Sequence, residues 1–126
     1  LAELLLSRSK VELLDFHGKF RFQLDLARGG LQSSFFFFLP EYYEPATQKY
    51  VRENIKPGMT VMDIGANIGF HTLLFADLVG PSGRVFSLEP QSDNFRHLQE
   101  SIASNRLDWV RPYRLALFDT TGTEKL

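Results

Sequence analysis

The chain has 126 residues, a net charge of −1 and 44% hydrophobic residues. That suits one small domain, or part of a larger one, with a packed core and without the basic footprint of a nucleic-acid binder. Cysteine is absent, which excludes disulfides and thiolate metal sites and fits a reducing, cytoplasmic setting; no apolar run is long enough to span a bilayer.

The chain begins at Leu1 rather than methionine and reads as cut from something longer. Leu4-Leu5-Leu6 lacks the basic flank of a secretion signal and reads as the end of a short helix. Phe20, Phe22, Leu24 and Leu26 alternate with Arg21, Gln23 and Asp25, the pattern of a half-buried strand. Val11 to Phe16 is its expected partner, joined through His17-Gly18 as a hairpin. Phe35 to Leu39 is an uncharged aromatic run stopped by Pro40; exposed, it would invite aggregation, so it is expected to be covered. Residues 1–42 thus form a β-rich extension, distinct from residues 43–126.

Glu44-Pro45 opens a helix, since proline in a first turn forfeits no hydrogen bond. Its expected inner stripe is Ala46, Tyr50 and Val51. Lys56-Pro57-Gly58 ends it and leads into a strand, Thr60 to Ile64, whose lack of polar alternation predicts burial on both faces. The glycine loop Gly65-Ala66-Asn67-Ile68-Gly69 follows. A helix with Phe70, Leu73, Leu74 and Leu78 inward comes next, closed by Gly80-Pro81. A second strand, Arg84 to Glu89, ends in an acid as the first does. A helix from Pro90 to Ser92 onward carries Phe95, Leu98 and Ile102 inward, with Asn105 near its end. A third strand spans Val110 to Leu117, and its Pro112 belongs at a sheet edge. Right-handed crossovers then give the order 3-2-1 with a pocket at the carboxyl ends of the strands.

A dinucleotide loop uses G-x-G-x-x-G, whose middle glycine lets the backbone approach a pyrophosphate. Asn67 stands at that position, and Asp63 beside the loop repels phosphate and attracts an ammonium. Glu89, about 20 residues past the loop, is placed to accept hydrogen bonds from two ribose hydroxyls. S-adenosylmethionine has the amine, the ribose and the uncharged adenine edge that this donor set suits. Both acids also suit the plainer role of capping helix N-termini. His71 reads as a helix or pocket-wall residue rather than a base, His97 as part of a solvated face, and Trp109 as packing. No His/Asp/Glu cluster has metal spacing.

At these residues the sequence resembles the FkbM-type family of class I methyltransferases. The matching pieces are Asp63 to Gly69, Gly83 to Pro90, Asn94-Phe95 with Leu98, Ala116-Leu117, and the lead-ins Lys56-Pro57-Gly58 and Tyr43-Glu44-Pro45. The resemblance implies an α/β, Rossmann-like doubly wound parallel sheet, here truncated after its third strand, which the β-hairpin/helix extension read from the first residues precedes. It implies binding of S-adenosylmethionine and methyl transfer to a hydroxyl of a sugar or small metabolite. Carried over, Asp63, Gly65, Ala66, Asn67 and Gly69 line the methionine half and Thr72 touches its carboxylate. Glu89 holds the ribose with Pro90 beside it, and Leu115 and Ala116 lie near adenine. The family's next strand, with a Lys-Ile-Asp-x-Glu-Gly-like end, has no counterpart here, so the acceptor half of the pocket is expected to be missing. The unpaired edge of Thr60 to Ile64 predicts instability, self-association or cover by the N-terminal strands. The competing readings are a nucleotide-cofactor oxidoreductase domain and a non-catalytic Rossmann-like fragment or interaction module.

Overall fold

A computed structural model describes residues 11–14, 19–24 and 43–123. The chain divides into two compact units, Leu1–Glu53 and Asn54–Leu126. In the first, β1 (Val11–Leu14) and β2 (Arg21–Leu24) pair antiparallel, with Val11 opposite Leu24 and Leu14 opposite Arg21. The two expected strands are present, the second starting one residue after Phe20, while residues 15–16 and 25–26, over which the alternation continues, lie outside the described residues. The aromatic run of residues 35–39, the Leu4-Leu5-Leu6 segment and the His17-Gly18 turn lie outside the described residues.

Helix α1 (Pro45–Asn54) starts on its proline, as expected. Of the stripe read from the sequence only Val51 is buried, together with Gln48: Ala46 is exposed, and Tyr50 is 67% exposed. Gln48 reaches burial because its Nε2 donates to the Tyr43 carbonyl, 2.5 Å away, so the polar head is satisfied while its stem packs.

The second unit alternates strand and helix: β3 (Thr60–Ile64), α2 (Phe70–Val79), β4 (Arg84–Leu88), α3 (Ser92–Ser104) and β5 (Val110–Tyr113). The three strands are parallel in the order β3-β4-β5, with Asp63 opposite Ser87 and Ser87 opposite Pro112. This is the Rossmann-like α/β arrangement read from the sequence, with Pro112 on an edge strand. The last strand stops at Tyr113, four residues short of the expectation, and residues 114–123 run on exposed.

Two successive right-handed crossovers in one direction place both helices on the same face of the sheet. Leu73, Leu74, Val79, Val85 and Leu98, each no more than 1% exposed, form the core between them. Each such side chain contributes about 1.5–3 kcal/mol by leaving water. β3 is not buried on both faces. Only Asp63 is buried; Met62 and Ile64 are 55% and 59% exposed, because both helices lie on the opposite side.

The amino-terminal end of the sheet is stitched tightly. The Gly58 amide donates to the Val79 carbonyl at 2.8 Å and the Arg84 amide to the Met59 carbonyl at 3.0 Å. A Cβ on Gly83 would sit 2.6 Å from the Met59 oxygen and 2.5 Å from Val79 Cβ, so no side chain fits there. The Trp109 indole N–H donates to the Ala76 carbonyl at 2.9 Å, pinning α2 to the approach to β5.

Candidate functional site

The carboxyl ends of β3 and β4 meet at the glycine loop, and the backbone there is bent in a way the sequence supports. Gly65 (φ 79°), Asn67 (φ 53°) and Gly69 (φ 104°) all adopt left-handed conformations. Glycine does so freely, and asparagine is among the few other residues that tolerate it. Asn67 therefore replaces the usual glycine without breaking the turn. Gly69 has a second constraint: a Cβ would lie 2.8 Å from Leu98 Cδ1, so α3 closes down on the loop only because that position is bare. Around Gly65, by contrast, the space a Cβ would enter is open.

The loop's amides are turned inward. Those of Gly65 and Ala66 both donate to the Leu88 carbonyl at 2.9 Å, that of Gly69 to the Ala66 carbonyl at 2.9 Å, and that of Asn67 to Glu89 Oε2 at 2.8 Å. A pyrophosphate loop needs such groups free and facing the ligand. Here they are committed to protein acceptors, and the nearest side-chain charges are two carboxylates.

Glu89 is 6% exposed and joins three elements. Its Oε2 accepts from Asn67, its Oε1 accepts from the Gln91 amide at 2.9 Å, and its own amide donates to the Tyr113 carbonyl at 3.0 Å. Each carboxylate oxygen has a second lone pair left for an external donor. Gln91, which the sequence reading passed over, caps α3: its Oε1 accepts from the Asn94 amide at 2.7 Å.

Asp63 is 8% exposed and faces α2. Its Oδ2 accepts from Thr72 Oγ1 at 2.5 Å, and Thr72 Oγ1 lies 3.0 Å from Ser87 Oγ. Burial pushes the Asp63 carboxyl up from its ordinary value of 3.8, opposed by the Thr72 hydrogen bond and the neighbouring His71, with the Glu89 charge pushing it further up. His71 itself is half-buried, edge-on to Phe70 (5.2 Å between centroids) and stacked on Phe75 (6.0 Å).

Asp63, Gly65, Ala66, Asn67, Gly69, Thr72 and Glu89 are thus drawn together at one end of the sheet, with Pro90 half-buried beside Glu89. Thr72 takes a place the sequence did not foresee. It is fully buried beneath the loop and bonded to Asp63, so its hydroxyl serves the acid rather than facing outward. Leu115 and Ala116 lie just past β5 in exposed chain, Leu115 at 56%. Ser87 was not singled out from the sequence. The signal was its alternation with Asp63, which becomes legible only when the register places the two opposite each other. Among the described residues no group of three or more His, Cys, Asp or Glu is placed to hold a metal, and no helix is long and apolar enough to cross a membrane.

A model of the family described as protein-L-isoaspartate(D-aspartate) O-methyltransferase matches residues 42–119. A protein-L-isoaspartate O-methyltransferase of Methanothrix thermoacetophila is 44% identical over 36 residues, 29% of this chain and 17% of that protein. A putative rRNA-methylase from Clostridium thermocellum superposes with a TM-score of 0.55 at 27% identity, over 57% of this chain and 39% of its own. TYW2 of M. jannaschii, solved in complex with AdoMet, shares the fold with a TM-score of 0.63 at 23% identity, over 86% of this chain and 43% of its own. The chain spans less than half the length of each of these relatives.

Proposed function

Because the chain belongs to the protein-L-isoaspartate(D-aspartate) O-methyltransferase family, a class I S-adenosylmethionine-dependent family, we propose that its second unit is the methyl-donor half of such an enzyme. The FkbM-type resemblance is corrected by that match. The pieces that carried it, an acid before a glycine loop and an acid ending the next strand, do not distinguish among class I families.

One observation supports the donor site above the others: two carboxylates flank the loop, and the amides of Gly65, Ala66, Asn67 and Gly69 are bonded within the protein. This donor set fits an ammonium and a ribose diol and disfavours a pyrophosphate, so the oxidoreductase reading loses ground. Bound S-adenosylmethionine supplies an electrophilic methyl on a sulfonium. The work left to this chain's residues is placement, which converts an encounter into an aligned displacement. Asp63 holds the amino-acid end and Glu89 the ribose, with Gly65 giving the ligand room to lie against the backbone. Leu115 and Ala116 flank the adenine, next to Pro90.

For the acceptor we propose a protein carboxylate of the kind the family's description names. An ionised carboxylate attacks the methyl carbon without surrendering a proton, so it needs no general base. The sugar-hydroxyl acceptor expected from the FkbM-type resemblance gives way to this reading. The net charge of −1 also argues against an RNA acceptor.

Calorimetry of the 126-residue chain with S-adenosylhomocysteine tests the donor site. The expected result is binding to the wild type, at least tenfold weaker binding to Asp63→Ala and Glu89→Gln, a loss of about 1.4 kcal/mol or more, and none of NAD. Affinity unchanged by both substitutions would reject the assignment.

A further inference from the structure

Beneath the loop lies a polar chain that ordinary packing does not require. Thr72 and Ser87 are both 0% exposed and sit on the helix-covered side of the sheet, one on α2 and one on β4. Buried hydroxyls are costly unless bonded, and valine and alanine would fill these places without that cost. The bonding has a direction. Thr72 has one proton, and the ionised Asp63 carboxylate can only accept, so that proton goes to Oδ2. Ser87 Oγ, 3.0 Å from Thr72 Oγ1, then donates to Thr72. The chain therefore runs from Ser87 through Thr72 to Asp63, each bond polarising the next. It ends on one oxygen only. Among the described residues no hydrogen bond falls on Asp63 Oδ1.

We propose that Thr72 and Ser87 are positioning residues for the donor site: their hydroxyl chain locks Oδ2 of Asp63, which holds Oδ1 as the acceptor for the ammonium of the amino-acid half of the cofactor. This rests on the donor-site reading above. It moves Thr72 from a contact with the ligand's carboxylate to a support one step behind the ligand, and it gives Ser87 a role the sequence did not. The strand register makes the chain possible, since Ser87 stands opposite Asp63 on the neighbouring strand while Thr72 reaches down from the helix between them.

Two ligands separate positioning from packing. S-adenosylhomocysteine carries the ammonium, whereas 5′-methylthioadenosine keeps the nucleoside and lacks the amino-acid half. In titrations of the 126-residue chain, Thr72→Val is expected to weaken S-adenosylhomocysteine by about tenfold, the worth of one well-placed charged hydrogen bond. It should leave 5′-methylthioadenosine unchanged. Thr72→Ser restores the hydroxyl and the affinity. Ser87→Ala shifts S-adenosylhomocysteine binding in the same direction by a smaller factor, and carries the test should the valine variant not fold. Equal weakening of both ligands, or no change in S-adenosylhomocysteine binding, would reduce the hydroxyl chain to packing and overturn the proposal. A wild type that binds 5′-methylthioadenosine and S-adenosylhomocysteine equally well would remove the ammonium contact itself. A wild type that binds neither would overturn the donor-site reading and this inference with it.

Discussion

On one face of the three-stranded sheet, Val85, Val110, Asp63 and Ser87 lie under α2 and α3; on the other, Met62, Ile64 and Tyr113 are 55%, 59% and 43% exposed. The covered face thus buries an acid and a hydroxyl beside its valines, while large apolar side chains stand out on the other, where Leu88, 7% exposed, is the exception. A sheet with one wet face ordinarily carries polar residues there. The covered face can carry an acid and two hydroxyls because they satisfy one another and serve the loop above them. The open face carries residues suited to cover, on the side away from both helices.

The contrast is broken most sharply by placing the same charge on each face. Val85→Asp puts an unpaired carboxylate at a position with 0% exposure and is expected to cost about 4–5 kcal/mol, enough to abolish cooperative unfolding. Met62→Asp on the open face should stay within about 0.5 kcal/mol in the same chemical denaturation experiment. A large loss at Met62 would mean that the face is covered in solution.

A middle-sized effect is expected in the loop that joins the two faces. Gly69→Ala meets both a left-handed φ and Leu98 Cδ1, and should cost about 2–4 kcal/mol. Gly65→Ala meets only the φ, with open space around it, and should cost about 1–2 kcal/mol. Equal costs in thermal unfolding would show that α3 does not close on the loop.

A smaller and pH-dependent effect belongs to Asp63. Its folded-state pKa lies above the ordinary 3.8, so the folded chain holds the proton more tightly than the unfolded one. Stability contributed by this group is therefore greatest below 3.8. It falls as pH rises towards the folded value and stays lowered above it. Asp63→Asn keeps an acceptor for Thr72 and removes the buried charge. Its melting temperature relative to the wild type should climb between acid and neutral pH while S-adenosylhomocysteine binding is lost. A constant offset across that range would show that the charge is not the source.

The least change in stability is expected from Met62→Lys combined with Ile64→Lys, whose readout is association rather than folding. β3 is an edge strand among the described residues, and an apolar edge is a template for pairing. Sedimentation should show concentration-dependent association of the wild type and a monomeric double variant of unchanged fold.

Much of this was legible in the residues themselves. Thr60 to Ile64 reads as a strand because five non-turn residues run between two glycine signals, and Gly80-Pro81 and Asn105 mark the ends of α2 and α3 where they fall. What a single sequence could not reveal was which side of a strand finds a partner. An uninterrupted apolar run reads as buried on both faces, yet Met62 and Ile64 point away from both helices. Thr72 was singled out as a candidate by its place in the first turn of α2. Its burial came from the pairing of β3 with β4, which no local pattern encodes. The stripe of Ala46, Tyr50 and Val51 expected on α1 missed Gln48 because its burial depends on a carbonyl five residues back.

The stitching at the amino-terminal end of the sheet has a mechanical consequence. Gly83 wedged against Met59 and Val79, and the amide of Gly58 tied to the end of α2, leave that end without slack. A side chain at Gly83 would have to prise the chain entering β3 away from the chain entering β4, so this single bare position sets how closely the two strands can start.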